Sequence, residues 1–365
     1  MASALPETLP RWTIAAPLLG LVAIAVGTPA NVVLAALVAV VLMAAVLAAV
    51  HHAEVIAHHL GEPFGTLVLA VAVTVIEASL IISLMLSNSG GEAALARDTV
   101  FAALMIVLNG IVGICLLAGG TRHHEQQFTQ TGVSAGLAML ATLAILTLVL
   151  PNYTVSTPGP FYNDIQLTFV AVVSLIIYAT FVLAQTVRHR EYFLPDGAVL
   201  VPETPDPDDA KALDTRALSL SGGLLLIALV GVVLLAKALS PLITGWVDAA
   251  GAPRALVGVI IAGLVLLPEG LAAWRAARRN QLQTSLNLAL GSALATIALT
   301  LPAVAVVAIM LGLDLALGLS PVGTVMLLLT LFVSSLSLGT GRTTIVQGVL
   351  HLVLLATFLV VTLMP

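Results

Sequence analysis

Two glutamates lie where a bilayer would be. Glu77 sits within GEPFGTLVLAVAVTVIEASLIISLML, and Glu269 within VGVIIAGLVLLPEGLAAWRAARRN. An ionisable side chain in mid-membrane costs about 2.5–3.5 kcal/mol on insertion scales, so each marks a candidate site. A carboxylate held there can bind a proton or a hard cation. The bland alternative is a protonated acid that hydrogen-bonds between helices. On a helix, Thr66, Thr74 and Glu77 fall near one face. Pro268, just before Glu269, removes a backbone donor and frees a carbonyl one turn earlier. Such carbonyls are tolerated at membrane depth around a cavity or inside protein. They are also the oxygen ligands that Na⁺ or Ca²⁺ uses.

The next apolar run after each glutamate is polar on one side. One carries Thr99, Asn109, Gly110 and Gly113; the other carries Gln281, Gln283, Thr284, Ser285, Asn287, Gly291, Ser292 and Thr296. Small residues let helices approach closely, which accounts equally well for Gly110, Gly113 and Gly291. A buried amide demands partners, so Asn109 and Asn287 are read as functional. The expected cation- and proton-binding set is Glu77, Glu269, Asn109, Asn287, Ser292 and Thr74, with Glu77 and Glu269 as the metal ligands. His51, His52, His58 and His59 form a separate group, HHAEVIAHHLGE, with Glu54 and Glu62. A metal site or pH sensor is conceivable there, but a solvated interfacial helix end is the expected reading. No Walker loop, GxSxG or HExxH motif is present.

The elements that hold these residues follow from composition. Of 365 residues, 60% are hydrophobic and 8% charged. Average soluble domains carry about 25% charged residues, so this chain cannot cover a soluble surface and belongs in a bilayer. A net charge of −5 excludes a basic footprint for nucleic acid. Cys115 is the single cysteine, so neither an intramolecular disulfide nor a cysteine metal cage can form.

Eleven apolar runs are long enough to cross, and the fold class is all-α, polytopic: 13–28, 31–53, 64–87, 98–119, 132–150, 164–187, 217–239, 253–274, 284–311, 320–338 and 343–364. Ser87–Gly91, Gly119-Gly120, Pro151-Asn152, Ser240-Pro241 and Gly339–Gly341 read as punctuation between runs. The first run could be a cleaved signal peptide, but a retained helix is expected. With the N-terminus in the cytoplasm and the C-terminus outside, ten of the 13 Lys and Arg fall on the cytoplasmic side. Residues 188–216, with their prolines and the acidic group Glu203, Asp206, Asp208 and Asp209, read as a solvated linker. The expected organisation is an N-terminal helix (1–30), a first five-helix repeat (31–187), the linker (188–216) and a second repeat (217–365). Five is odd, so homologous halves would insert upside down relative to each other, the plan of many secondary transporters. Glu77 and Glu269 then occupy the second helix of each half.

In these residues the sequence resembles the calcium/cation antiporter superfamily, in its bacterial calcium/proton (also sodium-potassium/proton) branch. The resemblance rests on LGEPFGTLVLAVAVTVIEASLI, on PEGLAAWRAARRNQLQTSLNLALGSALATIALTLP and on VLNGIVGICLLAGG. It implies two α-repeats whose acidic residues, here Glu77 and Glu269, bind the transported cation. It also implies participation of the following helices around Asn109, Asn287 and Ser292. The chain differs from the plant and fungal vacuolar branch, where Asn precedes each repeat glutamate and His follows the second. Here Ile76 precedes Glu77, Pro268 precedes Glu269, and Gly270 follows it.

The expected function is exchange of Ca²⁺ for H⁺ by alternating access, with both glutamates as shared cation and proton sites. The alternative within transport is Na⁺ or K⁺ exchange for protons. The alternative outside it is an intramembrane metal enzyme built on His51, His52, His58 and His59. Transport rather than catalysis is expected, without a cofactor. The expected partners are inorganic cations, protons, the lipid bilayer and, where the chain self-assembles, a second copy of itself. The expected location is the bacterial inner membrane.

Overall fold

The computed structural model describes residues 9–27, 29, 31–60, 64–87, 93–194 and 215–364. The described residues are almost entirely helical. In chain order the α-helices are α1 (Arg11–Val26), α2 (Val32–Leu60), α3 (Phe64–Ser87), α4 (Leu95–Met105), α5 (Val112–His123), α6 (Gln130–Ala144), α7 (Asp164–Leu183), α8 (Thr215–Ala249), α9 (Ala255–Val265), α10 (Leu267–Arg278), α11 (Leu282–Ala295), α12 (Leu301–Leu311), α13 (Pro321–Leu338) and α14 (Ile345–Leu363). A helix covers each of the eleven apolar runs. Among the described residues, eight helical rods are long and apolar enough to cross a membrane, or nine with the bent pair α9–α10. Arg11–Ala25 and Ala70–Ser83 are shorter apolar helices. The protein is an all-α integral membrane protein.

Several rods are continuous only because π-helical turns join their parts. Ile106–Ile111 joins α4 to α5, and Thr296–Thr300 joins α11 to α12. These turns fall in the runs that follow the two glutamates. π-turns widen a helix locally and cluster at functional sites.

The chain divides into two compact units. The first holds α1, α2, α3 and α8 through Ile243. Within it α1 packs along α2, whose Ala45, Ala48, Ala49 and Ala53 are completely buried and let the two helices approach closely. The second holds α4–α7 and α9–α14. Three of its helix starts carry side-chain caps. Asn163 Oδ1 accepts from Gln166 N at 2.8 Å, and Gln166 Oε1 accepts from Asn163 N at 3.1 Å, a reciprocal cap on α7. Asn163→Ala is expected to cost about 1 kcal/mol, read as a lower unfolding midpoint in detergent. Ser320 caps α13, with Pro321 in its first turn, and Thr344 caps α14.

The two ends of this second unit differ in charge. At one end the backbone of Leu319 meets Leu148, Ala316 meets Ala93, and Asn152 Nδ2 donates to Leu319 O at 2.7 Å. Arg97 lies here, donating to Gly318 O at 2.9 Å and pairing with Asp98 at 2.8 Å. Tyr162 closes this end by donating to Leu146 O at 2.6 Å, and burial pushes its phenol up to about 12. At the other end His123 contacts Arg278 O at 3.2 Å, and Arg342 faces Glu125 at 3.6 Å. Arg122, Arg278 and Arg342 therefore gather together.

Beside a small strand pair that the helical reading did not name, three expectations are corrected. The basic end contains a small antiparallel pair, β1 (Gln126–Gln127) with β2 (Arg342–Thr343), so the turns following α5 and α13 are tied by backbone hydrogen bonds. Gly119 and Gly120 do not end a helix; they lie inside α5. A Cβ on Gly120 would stand 2.7 Å from Ile345 N, so the pair serves close packing rather than chain reversal. Ser240-Pro241 also fails to punctuate, because α8 runs through it. The eighth run, expected to be continuous, breaks at Leu266 with a bend of 54°. Proline accounts for the break: Pro268 has no N–H for the Leu264 carbonyl, and its ring crowds the preceding turn. Residues 195–214, most of the expected linker, lie outside the described residues. Residues 190–192, inside its expected bounds, form a 3₁₀ turn.

Candidate functional site

The geometry around Glu269 is the most informative. The break places Glu269 in the first turn of α10, one residue after Pro268, and leaves it half-buried. A helix start carries positive potential, so an ionised carboxylate there is favoured. The preceding half-helix, α9, ends at Val265, with its last carbonyls pointing onward. A broken membrane helix thus brings together a carboxylate, a positive helix start and carbonyl oxygens. That is a donor set suited to a hard cation when the acid is ionised, and to a proton when it is not.

Glu77 occupies the middle of α3. It is 2% exposed, and Thr74, three residues earlier on the same face, is also buried. The Thr66 side chain lies outside the described residues. Ser292 lies on α11, which packs against α10, and its hydroxyl is buried with no hydrogen-bond partner.

The two amides are differently employed. Asn287 Nδ2 donates to Phe193 O at 2.6 Å, and its Oδ1 accepts from Gln283 Nε2 at 3.0 Å. Gln283 Oε1 in turn accepts from Thr129 N at 2.7 Å. This chain ties the start of α11 to the segments flanking α6 and α7. Asn109 lies in the π-helical turn and is completely buried. Its Nδ2 donates to Thr330 Oγ1 at 2.9 Å, and its Oδ1 faces His351 Nδ1 at 3.3 Å. Protein groups therefore engage both ends of each amide, as a helix joint requires. The glycines beside Asn109 also serve packing: a Cβ on Gly110 would meet Leu355 at 3.3 Å, and one on Gly113 would meet His351 at 3.1 Å. Gly291 has open space instead.

Thr330 and His351 were not among the expected site residues, yet both are completely buried. The signal was present. His351 interrupts an apolar run, VLHLVLL, as Glu77 does, and Thr330 interrupts LLLTLF.

The histidine group is only partly a solvated helix end. His59 is exposed, while the His58 side chain and Glu62 lie outside the described residues. His52 is completely buried, and its Nε2 donates to Thr13 O at 3.0 Å. The cause is again a proline. Pro17, inside α1, cannot donate to the Thr13 carbonyl, so the imidazole does. The ring of His51 lies 6.0 Å from that of Trp12. Among the described residues, no three His, Cys, Asp or Glu side chains converge as a metal cage. His52→Leu is expected to leave that carbonyl without a donor and to cost about 1–3 kcal/mol, seen as easier proteolysis near α1.

Comparison with known proteins places this geometry in context. The family model described as sodium/calcium exchanger protein matches residues 30–187 and 220–364. A candidate ionic transporter of Sinorhizobium fredii, y4hA, is 48% identical over 98% of this chain and 97% of its own length. The sodium-potassium/proton antiporter ChaA of Escherichia coli is 36% identical over 87% of this chain and 85% of its own length. Among solved structures, native YfkE superposes with a TM-score of 0.71 at 15% identity, over 97% of this chain and 99% of that one. The H⁺/Ca²⁺ exchanger CAX gives 0.70 at 17% identity, over 95% and 86%. The two structural likenesses concern the fold. The family model spans nearly the whole chain in two segments, and the chain belongs to the sodium/calcium exchanger protein family.

Proposed function

We propose that this chain exchanges Ca²⁺ for protons by alternating access, with Glu77 and Glu269 as the groups that take up either ion. The observation that carries this reading is the position of Glu269, at the start of a half-helix created by Pro268. Two carboxylates supply two negative charges, which one Ca²⁺ or two protons neutralise. A buried charged site is costly to move through the membrane, and a neutralised one is not. Proton and cation compete for the same oxygens, so exchange needs no separate coupling device. Thr74, on the same face of α3 as Glu77, and Ser292, on the helix packed against α10, add neutral oxygens. Asn109 and Asn287 hold helices in place.

The basic end of the second unit, with Arg122, Arg278 and Arg342, faces the cytoplasm of a bacterial inner membrane in this reading.

A second reading, Na⁺ or K⁺ in place of Ca²⁺, is favoured by the name of the 36%-identical Escherichia coli relative, a sodium-potassium/proton antiporter. Proteoliposomes with a preformed pH gradient and a pH-sensitive dye decide between them. Ca²⁺ added alone should collapse the gradient, with Na⁺ and K⁺ giving slower responses at equal concentration. Collapse by Na⁺ or K⁺ with none by Ca²⁺ would establish the second reading. Silence toward all three by inserted, folded protein would defeat proton-coupled exchange.

A further inference from the structure

The buried contact of Asn109 with Thr330 and His351 joins three elements of the second unit: the π-helical turn Ile106–Ile111, α13 and α14. Its proton assignments follow from one end to the other. Thr330 Oγ1 lies 3.5 Å from Met105 Sδ and can spend its proton there. The hydroxyl oxygen then accepts from Asn109 Nδ2. This turns Asn109 Oδ1 toward His351, so His351 must donate from Nδ1. The Leu108 carbonyl also lies against the ring, on the same π-turn. His351 Nε2 is left as a bare acceptor, buried without a partner. Backbone contact fixes the ring laterally as well. Gly113 and Gly348 let α5 and α14 approach so closely that a Cβ on Gly113 would meet His351 Cβ at 3.1 Å.

We propose that His351 is a positioning residue for transport. Its Nδ1–H sets the orientation of the Asn109 amide and thereby holds the π-turn of the fourth span against α13 and α14. Asn109, Thr330 and His351 are not cation ligands in this arrangement, since their polar atoms serve one another. Loss of the clamp therefore slows turnover and leaves the apparent cation affinity in place. A wide π-turn has an ordinary α-helical alternative, and the clamp biases the helix toward the wide form.

This inference rests on the proposed exchange activity, and the experiment separates the two. Initial rates of cation-driven proton movement are measured in proteoliposomes against Ca²⁺ concentration, with Na⁺ and K⁺ run alongside. The proteins are wild type, His351→Asn, His351→Gln and His351→Leu. Asparagine can return a donor near the Nδ1 position, whereas glutamine reaches toward the Nε2 position. His351→Asn should keep the maximal rate within about threefold of wild type, and His351→Gln and His351→Leu should lose about tenfold. The half-saturating cation concentration should stay within about twofold in all of them. Asn109→Leu combined with His351→Leu should be no slower than the worse single variant, because one joint is removed once.

Should His351→Leu fail to insert, the Asn and Gln pair carries the comparison, since both are polar. Rescue by Gln rather than Asn would overturn the proposal, as would wild-type turnover in His351→Leu. So would a large rise in the half-saturating concentration. Absence of exchange in wild type would instead remove the activity on which the inference stands.

Discussion

Glu269→Gln is expected to reduce cation-driven proton movement to the leak rate of empty vesicles, and Glu77→Gln is expected to do the same. Glutamine keeps the shape and one carbonyl oxygen but removes both the negative charge and the titrating proton. With one carboxylate left, the variant can neither fully neutralise Ca²⁺ nor release two protons, and the exchange cycle stops. Folding should survive, because a buried amide costs less than a buried charge. For Glu269 the loss of charge forfeits the favourable interaction with the start of α10, worth about 0.3–1 kcal/mol, which is small beside the functional loss. Vesicle flux, paired with an elution profile showing intact protein, reads this out. Retention of even half the wild-type rate by either variant would remove that residue from the exchange step.

Gly348→Val should produce the largest structural effect. A Cβ at Gly348 would stand 2.5 Å from Leu117 N, 2.9 Å from Leu117 Cα and 3.0 Å from Gly113 O. All three are backbone atoms, so no side chain can swing aside, and α5 and α14 must separate. Overpacking of this kind costs about 3 kcal/mol, and the detergent unfolding midpoint should fall by roughly 5–10 °C. Gly291→Ala is the matched control. Nothing lies within 4 Å of its Cβ position, and alanine favours helix by about 1 kcal/mol. Its midpoint should hold or rise. Equal loss in both variants would mean that the α5–α14 crossing is not the tight point.

Much of this architecture was legible in the sequence because bilayer crossing imposes length and apolarity on every element. Each of the eleven runs is helical for that reason. Local breaks were less legible. Proline acts through the geometry that neighbours allow, so Pro268 splits a span into α9 and α10 while Pro241 sits inside the continuous α8. Glycine carries the same ambiguity: Gly119-Gly120 reads as a turn in sequence but serves close packing inside α5. Within the site, the rule that exposes Glu77 and Glu269, an ionisable group in an apolar run, also exposes His351. That histidine was passed over because its partners are remote in sequence: Asn109 lies 242 residues away. Asn109 and Asn287 were visible as buried amides. Gln283, four residues before Asn287 on α11, is a local partner, but Thr330, His351 and Phe193 reach the two amides through tertiary packing, which spacing does not show.

The central claim is that cation and proton compete for the same two carboxylates. Titration calorimetry of the purified protein in buffers of different ionisation heat measures proton release on cation binding most directly. At a pH where both acids are protonated, the account predicts about two protons released per Ca²⁺ bound, falling to about one in Glu77→Gln or Glu269→Gln if binding persists. Calcium binding with no proton release at any pH would contradict it.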